Sequence, residues 1–325
     1  MEKSFVISNG ALVPSENDNG NIIMYINPDA NEKSIIQTKY DIDEHTIASS
    51  LDPDELSRIE IENGNIHMIW KYPRTFSNQV QPNFNVSSAG LFIFPDKLIL
   101  VIEDETILFG HKYFNNIHSI IDFLMNFLYH TIRHYLDHLK VIKLISREVQ
   151  NKINASMENE YLIQMFNLSE CLVFYLNAIS SNGIVLNKLR NYFEKNNLFP
   201  EKLDLLEDII IENNQCNKQA EIYSQVFSGM MDARGSIVAN NMNVLIKNLM
   251  IINIIFLPLN LIASIGGMSE FSMMTKGIDW RISYGLFGFT MILLGWFSAL
   301  VITKLNLTSA STFRDLKLFR RRRKK

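Results

Sequence analysis

Cysteine is scarce in this chain of 325 residues, which has only Cys171 and Cys216. Two thiols so far apart in sequence are typical of free cysteines in a reducing compartment, and they argue against a disulfide framework. The sequence also has no phosphate-binding loop of the Gly-x-x-x-x-Gly-Lys type, no nucleophile elbow and no His-Glu-x-x-His motif. Its first residues have neither a basic stretch nor an apolar core, so no cleaved signal peptide is expected. We therefore expect a protein that is not an enzyme and does not use ATP hydrolysis.

Charged residues are missing from two long apolar runs near the C-terminus, Leu249–Met268 and Tyr284–Ile302. Each run is about long enough to cross a hydrocarbon core of roughly 30 Å as an α-helix. A short polar loop joins them, and residues 1–248 in front of them read as a soluble domain. The pattern predicts a membrane hairpin at the end of a soluble domain.

The charge distribution predicts the orientation of this hairpin. Basic residues concentrate after the second run and end in Arg320–Lys325. The positive-inside rule places the C-terminus in the cytoplasm, and two crossings return the N-terminal domain to the same side. We therefore expect a multi-pass protein of the inner (cytoplasmic) membrane with both termini cytoplasmic. The tail from Arg314 to Lys325 is expected to contact anionic lipid headgroups. Because the bilayer holds that tail in place, nucleic acid is not an expected partner.

The soluble part changes its pattern along the chain. Residues 1–30 read as irregular, whereas residues 31–110 contain short apolar runs, with a strand at Ile66–Tyr72 and a hairpin around Pro95–Lys97. Between them, Asp52–Leu56 has an early proline and acidic residues, which is typical of a helix start.

Helical spacing begins near residue 116. Ile117–Ala155 and Asn159–Lys195 carry apolar residues three and four positions apart, and a break is expected at Ser181–Gly183. From Pro200 to Pro258 no break is evident, which predicts one helix of roughly 60 residues, about 90 Å long. A helix this long makes sense in a bundle with copies of itself.

These observations divide the chain into seven segments. They are an N-terminal α/β part at 1–115, a helical part at 116–200, a stalk helix at 201–248, a first membrane helix at 249–268, an external loop at 269–282, a second membrane helix at 283–303 and a basic cytoplasmic tail at 304–325.

A polar stripe runs along the first apolar run. Asn260 and Ser264 are spaced so that each lies within about 20° of Asn253 on a helix. Leu257 lies between them, and Ile246 and Leu249 continue the same face. Polar groups facing lipid are costly, so the stripe must face other helices, where it forms interhelical hydrogen bonds, or a water-filled pore. In a pore, its neutral oxygens would bind the waters of a hydrated cation, with Leu249 and Leu257 as dewetting gates.

Three histidines occur at helical spacing, namely His130, His134 and His138. An i, i+4 pair of imidazoles on one helix face is able to hold Zn²⁺. The alternative is a polar face that contacts a neighbouring helix, and the sequence leaves both open.

The segment Pro258–Phe271 resembles the proline-led exit of the first membrane helix into the Gly-Met-Asn signature of the CorA family of divalent-cation transporters. Val226–Ala233 and Val244–Lys247 are similar to the stalk of that family, and Glu44–Leu51 and Ile66–Trp70 to its N-terminal domain. The resemblance covers roughly residues 35–305. It implies an α/β cytoplasmic domain, a long stalk helix and a two-helix transmembrane hairpin, assembled as a funnel-shaped homopentamer with a pore lined by the first membrane helix.

The chain departs from this family at the signature. Gly267 and Met268 match, but the family's asparagine, which contacts the hydrated ion at the outer mouth, falls on Ser269, and the aromatic residue before the signature falls on Gly266. The shorter serine implies a wider outer ring. Glu270 either forms an acidic ring that concentrates cations or is an ordinary interfacial charge.

The resemblance also implies regulatory divalent ions bound between cytoplasmic subunits through an aspartate of the stalk. Counting back from the signature without gaps places this aspartate at Asp208. The function implied is a channel that passes Mg²⁺ in largely hydrated form, with feedback from cytoplasmic divalent ions. Two alternatives stay open: a zinc transporter on the same fold, and a non-conducting pentameric sensor or scaffold.

Overall fold

The computed structural model describes residues 1–15, 20–62, 64–74, 84–104, 117–155 and 159–300. The chain forms two compact units, Met1–Asp232 and Ala233–Lys325. The boundaries of the seven predicted segments stay a prediction.

The first unit is built on a seven-stranded sheet with the strand order β2-β1-β3-β7-β6-β5-β4. Its strands are β1 (Glu2–Ser8), β2 (Ala11–Ser15), β3 (Ile22–Ile26), β4 (Arg58–Glu62), β5 (Asn65–Pro73), β6 (Val86–Ile93) and β7 (Leu98–Ile102). β3 and β7 pair in parallel, and every other pairing in the sheet is antiparallel.

Helices cover both faces of this sheet. They are α1 (Ala30–Tyr40), α2 (Glu44–Ser49), α3 (Ile120–Ala155), α4 (Asn159–Lys195) and α5 (Leu203–Gly266). β7 shows why two layers are needed, because all five of its residues are buried. Its alternate residues Ile99 and Val101 pack with α1 and α2, while Leu98, Leu100 and Ile102 join the larger core that includes α3, α4 and the first turns of α5.

Asn182 anchors α4 to the sheet. Its side chain is fully buried. The amide oxygen accepts from the backbone N–H of Lys71 at 3.0 Å and from the hydroxyl of Ser57 at 2.6 Å, and the amide nitrogen donates to the carbonyl of Lys71 at 2.8 Å. This amide therefore replaces a strand partner for β5 and fixes the register of α4 on it.

The second unit contains the end of α5, the short helix α6 (Ser269–Met274) and the helix α7, which is described over Trp280–Leu300. Among the residues of Ala233–Leu300 whose burial the structure describes, Gly266 and Ser283 are the two that are buried. The positions of α5 that are partly covered recur every three or four residues, at Ile251, Ile255, Leu259 and Ile262. Gly295 of α7 lies on this side, since a Cβ placed there would be 3.6 Å from Leu259. α7 therefore packs along one side of α5.

In the part of the chain that the structure describes, three helices are long and apolar enough to cross a membrane by length and composition: Glu160–Lys195, Pro200–Gly266 and Trp280–Leu300. In the first of these, a third of the apolar window is buried, compared with 6% and none in the other two. Packing against the sheet thus accounts for much of the apolar character of α4.

Most of the predicted elements are confirmed. The strand at Ile66–Tyr72 is β5, and the hairpin at Pro95–Lys97 joins β6 to β7, with the N–H of Phe94 donating to the carbonyl of Lys97 at 2.8 Å. The long helix is α5, with 64 residues.

Three predictions were wrong. Residues 1–30 contain β1, β2 and β3, all three of which were missed. Most residues of β1 and β2 are exposed or half-buried, which weakens the alternation, whereas β3 is a five-residue run buried at four positions, which has no alternation to detect. Asp52–Leu56 is a turn, in which the carboxylate of Asp52 accepts from the N–H of Asp54 at 2.9 Å. No break occurs at Ser181–Gly183, because Asn182 bonds to the sheet and Gly183 lets Asn213 of α5 approach closely.

Replacing Asn182 by alanine should destabilise the protein by about 2–4 kcal/mol, because it leaves buried backbone groups of Lys71 without partners. Asn187→Ala is the matched control, since the exposed Asn187 side chain bonds only to Gly183 of its own helix. Thermal unfolding of the purified full chain measures both. Equal melting temperatures for the two variants would contradict the anchoring role.

Candidate functional site

The predicted polar stripe lies on the open side of α5. All seven of its residues are exposed: Ile246, Leu249, Asn253, Leu257, Asn260, Ser264 and Gly267. At 100° per residue this face is turned roughly 160° away from the positions that contact α7. The hairpin therefore leaves the stripe free to face something other than its own second helix.

The polar groups of the stripe keep most of their hydrogen-bonding capacity. The hydroxyl of Ser264 donates to the carbonyl of Asn260 at 2.9 Å, so its oxygen remains free to accept. Within the part of the chain that the structure describes, the side-chain amides of Asn253 and Asn260 form no hydrogen bond. Amides in this state need water or another chain in a membrane.

The predicted outer mouth is a tight turn between α5 and α6. The N–H of Gly267 donates to the carbonyls of Ala263 and Ser264, at 3.1 and 3.2 Å, which ends α5. Met268 then takes an extended conformation and precedes α6, which begins at Ser269.

At the start of α6, the Ser269 hydroxyl donates to the carboxylate of Glu270 at 3.2 Å, and both residues are exposed. The serine oxygen and the carboxylate thus present lone pairs and a negative charge, which suits donors such as the waters around a cation.

An aromatic cluster holds this turn against α7, and the sequence patterns did not predict it. The ring of Phe271 lies 5.3 Å from that of Phe287 and 5.9 Å from that of Tyr284, measured between centroids. The only sequence signal was the presence of aromatic residues on both sides of the loop. Contacts of this kind depend on how two helices approach each other.

Asp208 lies on the exposed side of α5 in the first unit. Its neighbour Glu207 is compensated by Arg190, whose Nε lies 3.1 Å from the carboxylate. Asp208 forms no ion pair within the residues that the structure describes. No group of three or more His, Cys, Asp or Glu side chains among these residues is placed to hold a metal ion. A complete divalent-ion site at Asp208 therefore needs ligands from elsewhere.

The three histidines of α3 lie side by side on one face of the helix, and two of them, His134 and His138, are hydrogen-bonded to each other. His138 is fully buried. Its Nδ1 lies 2.6 Å from the hydroxyl of Tyr175 on α4, and its Nε2 lies 3.0 Å from Nε2 of His134. The ring of His130 stacks near that of His134, with centroids 6.3 Å apart. The Nε2 atoms that a zinc ion would need are bonded to each other, which favours the helix-contact interpretation over the zinc site.

Burial keeps the imidazoles of His134 and His138 neutral. Desolvation lowers the pKa of His134 to about 4, helped by the neighbouring His130, and lowers that of His138 to about 3, helped by His134. Asp137 opposes the shift at His134 but is too exposed to cancel it. The groups that contact His138 from other elements are uncharged: the hydroxyl of Tyr175 at 2.6 Å and the ring of Phe84, edge-on with centroids 5.8 Å apart.

Stability should therefore fall in mild acid. The unfolded chain takes up protons on these histidines below about pH 6.5, whereas the folded chain does not until near pH 4, so folding loses free energy across this window. We expect the melting temperature to fall by several degrees when the pH is lowered from 7 to 5. A double variant His134→Gln/His138→Gln should show a shallower dependence than the wild type. His45→Gln, at an exposed histidine, is the control, and an unchanged slope in the double variant would contradict the assignment.

Two helices long and apolar enough to cross a membrane, the first with an exposed polar stripe, are typical of a membrane protein. A family model described as "CorA-like Mg2+ transporter protein" matches residues 17–305. The chain belongs to the CorA family. No curated protein matches it in sequence.

Solved structures share the fold. The CorA magnesium transporter from Methanocaldococcus jannaschii superposes with a TM-score of 0.73 at 20% identity, over 92% of this chain and 96% of that one. The full-length CmaX protein gives 0.70 at 11% identity, over 94% and 97%. The ZntB cytoplasmic domain from Vibrio parahaemolyticus gives 0.56 at 11% identity, over 74% and 97%. The chain thus has the fold of the CorA-type divalent-cation transporters.

Proposed function

We propose that this protein is a homopentameric channel that carries divalent cations, chiefly Mg²⁺ in largely hydrated form, across the inner membrane. The observation that carries the proposal is the position of the polar stripe on the side of α5 turned away from α7. A single hairpin would expose the amides of Asn253 and Asn260 to hydrocarbon, at a cost of several kcal/mol each by the usual estimate. Copies arranged around an axis give the stripe a common water-filled interior.

The chemistry of this interior favours a hydrated ion. The stripe contains amide and hydroxyl groups and no carboxylate. Mg²⁺ gives up its waters reluctantly, and neutral oxygens do not replace their electrostatic stabilisation. Rings of Asn253, Asn260 and Ser264 would instead accept hydrogen bonds from the water shell, while Leu249 and Leu257 form apolar constrictions that dewet when closed.

The mouth would concentrate cations and the membrane potential would drive them. Ser269 and Glu270, repeated in each copy, place negative charge at the turn after α5. With both termini cytoplasmic, an inside-negative potential of 100 mV supplies about 4.6 kcal/mol for a doubly charged ion. The basic tail lies in residues 301–325, outside the described residues, and its proposed contact is with anionic lipid headgroups.

Asp208 is the proposed regulatory ligand. Its carboxylate is exposed and uncompensated, unlike that of Glu207, and it lies on the helix that continues into the membrane span. A cytoplasmic divalent ion held by Asp208 and a second subunit would stabilise the closed pentamer, and loss of the ion would release it.

The first experiment measures ion uptake into proteoliposomes containing the full chain, with a Mg²⁺-sensitive dye and a Zn²⁺-sensitive dye in parallel. We expect potential-driven Mg²⁺ uptake, reduced about tenfold or more by Asn260→Leu, because a further apolar ring dewets the path. Ile254→Leu, off the stripe, should have wild-type uptake.

Other outcomes select the alternatives. Zn²⁺ uptake without Mg²⁺ uptake would assign the protein to zinc transport. A non-conducting sensor or scaffold would show no uptake of either ion although its pentamers are intact. In that case Ser269→Asn should gain uptake.

The regulatory proposal predicts that Asp208→Asn keeps uptake high when Mg²⁺ is also loaded inside the liposomes, whereas the wild type slows. Glu207→Gln is the matched control, one residue away and already engaged by Arg190, and should slow like the wild type. If Asp208→Asn slows to the same extent, Asp208 is not a ligand and the feedback, if present, resides elsewhere.

A further inference from the structure

In the second unit, Gly266 of α5 packs directly against the ring of Phe287 in α7. Gly266 is buried, whereas most of the described residues around it are exposed. A Cβ added to it would come within 2.4 Å of Cζ of Phe287 and within 2.9 Å of both Cε atoms. Glycine is therefore required here because the ring of Phe287 occupies the space of any side chain.

The same ring reaches the outer turn. Phe287 contacts Phe271 of α6, with centroids 5.3 Å apart and planes tilted by 58°. Phe271 also packs edge-on against Tyr284, at 5.9 Å and 74°. Its carbonyl accepts from the hydroxyl of Thr275 at 2.8 Å, which closes α6. The ring of Phe287 in α7 thus contacts both the end of α5, at Gly266, and the middle of α6, at Phe271.

This contact bears on the two residues of the proposed mouth. Ser269 and Glu270 lie between Gly266 and Phe271, so both ends of the segment that carries them are held by Phe287. α6 has only six residues, and its N-cap, Met268, supplies no side-chain hydrogen bond. A helix this short depends on tertiary packing for its position.

We propose that Phe287 is a positioning residue: seated on Gly266 and against Phe271, it fixes the turn that presents Ser269 and Glu270. The effect on transport rests on the proposed function. The contact of Phe287 with Gly266 and Phe271 is independent of that function.

The two glycines of the hairpin contact provide a matched test. Gly266→Ala forces a methyl group into Phe287, whereas Gly295→Ala places one at an ordinary contact distance of 3.6 Å from Leu259. Phe287→Ala removes the ring and Phe287→Tyr keeps it. The double variant Gly266→Ala/Phe287→Ala removes both the clash and the clashing ring.

The primary measurement is hydrogen exchange of the amides of Ser269–Met274 in the full chain in nanodiscs. We expect faster exchange for Gly266→Ala and Phe287→Ala, wild-type exchange for Gly295→Ala and Phe287→Tyr, and for the double variant no further loss beyond Phe287→Ala. Assembly on a sizing column and helix content by circular dichroism identify any variant that fails to fold. Unchanged exchange in folded Phe287→Ala, or equal behaviour of the two glycine variants, would overturn the proposal.

Uptake measurements on the same variants separate a positioning role from a structural one. Loss of one aromatic pair should raise the Mg²⁺ concentration for half-maximal uptake about two- to tenfold, with Phe287→Tyr restoring the wild-type value. A loss of maximal rate alone, with no change in this concentration, would contradict positioning of the mouth. If the wild type carries no ion while the exchange pattern holds, the transport proposal fails and the contact stands.

Discussion

The organisation of the membrane part depends on one constraint, namely that side-chain amides cannot be left against hydrocarbon. α5 carries Asn253 and Asn260 inside an apolar run without charges. α7 does not cover them, because it packs on the opposite side through Leu259, Gly266 and Gly295. The second helix thereby settles which face of the first is left open. In the proposed pentamer, one face of α5 contacts α7 and the opposite face lines the water-filled axis.

The parts of the structure that were predictable are those in which local pattern and tertiary packing agree. The apolar runs, the Pro95–Lys97 hairpin, the long helix and the stripe all follow from periodicity, because burial acts on each of them over many residues. β1 and β2 could not be predicted, since a strand near a sheet edge buries too little to show alternation. The continuity of α4 was hidden for the opposite reason. Ser181–Gly183 has the composition of a turn, and only the strand that Asn182 binds explains why it is helical.

The residues of the candidate site also differ in whether the sequence alone predicts them. The stripe residues are set by helical spacing alone and could be named from the sequence. The contact of Phe287 with Gly266 could not, because it depends on the distance between two helices, and the sequence shows only that a glycine stands where the family has an aromatic residue. The histidines show a third case. Their spacing was correctly seen to place them on one face, but whether that face meets a metal or a tyrosine depends on α4, which contributes Tyr175.

The chemistry of the path bears on which ions it can distinguish. Histidine, cysteine and carboxylates select metals by softness and charge, and neither apolar run contains any of them. In the proposed channel, rings of neutral oxygens would contact the water shell and discriminate by the size and hydrogen-bonding of the hydrated ion. Preference for a divalent cation would then come from charge at the mouth, where the hydroxyl of Ser269 donates to the carboxylate of Glu270. At the proposed mouth, Ser269 lacks the side-chain carbonyl that an asparagine would supply. In the proposed channel the carboxylate of Glu270 would then be the main electrostatic attraction for the ion, and the proposed role of Phe287 is to place it.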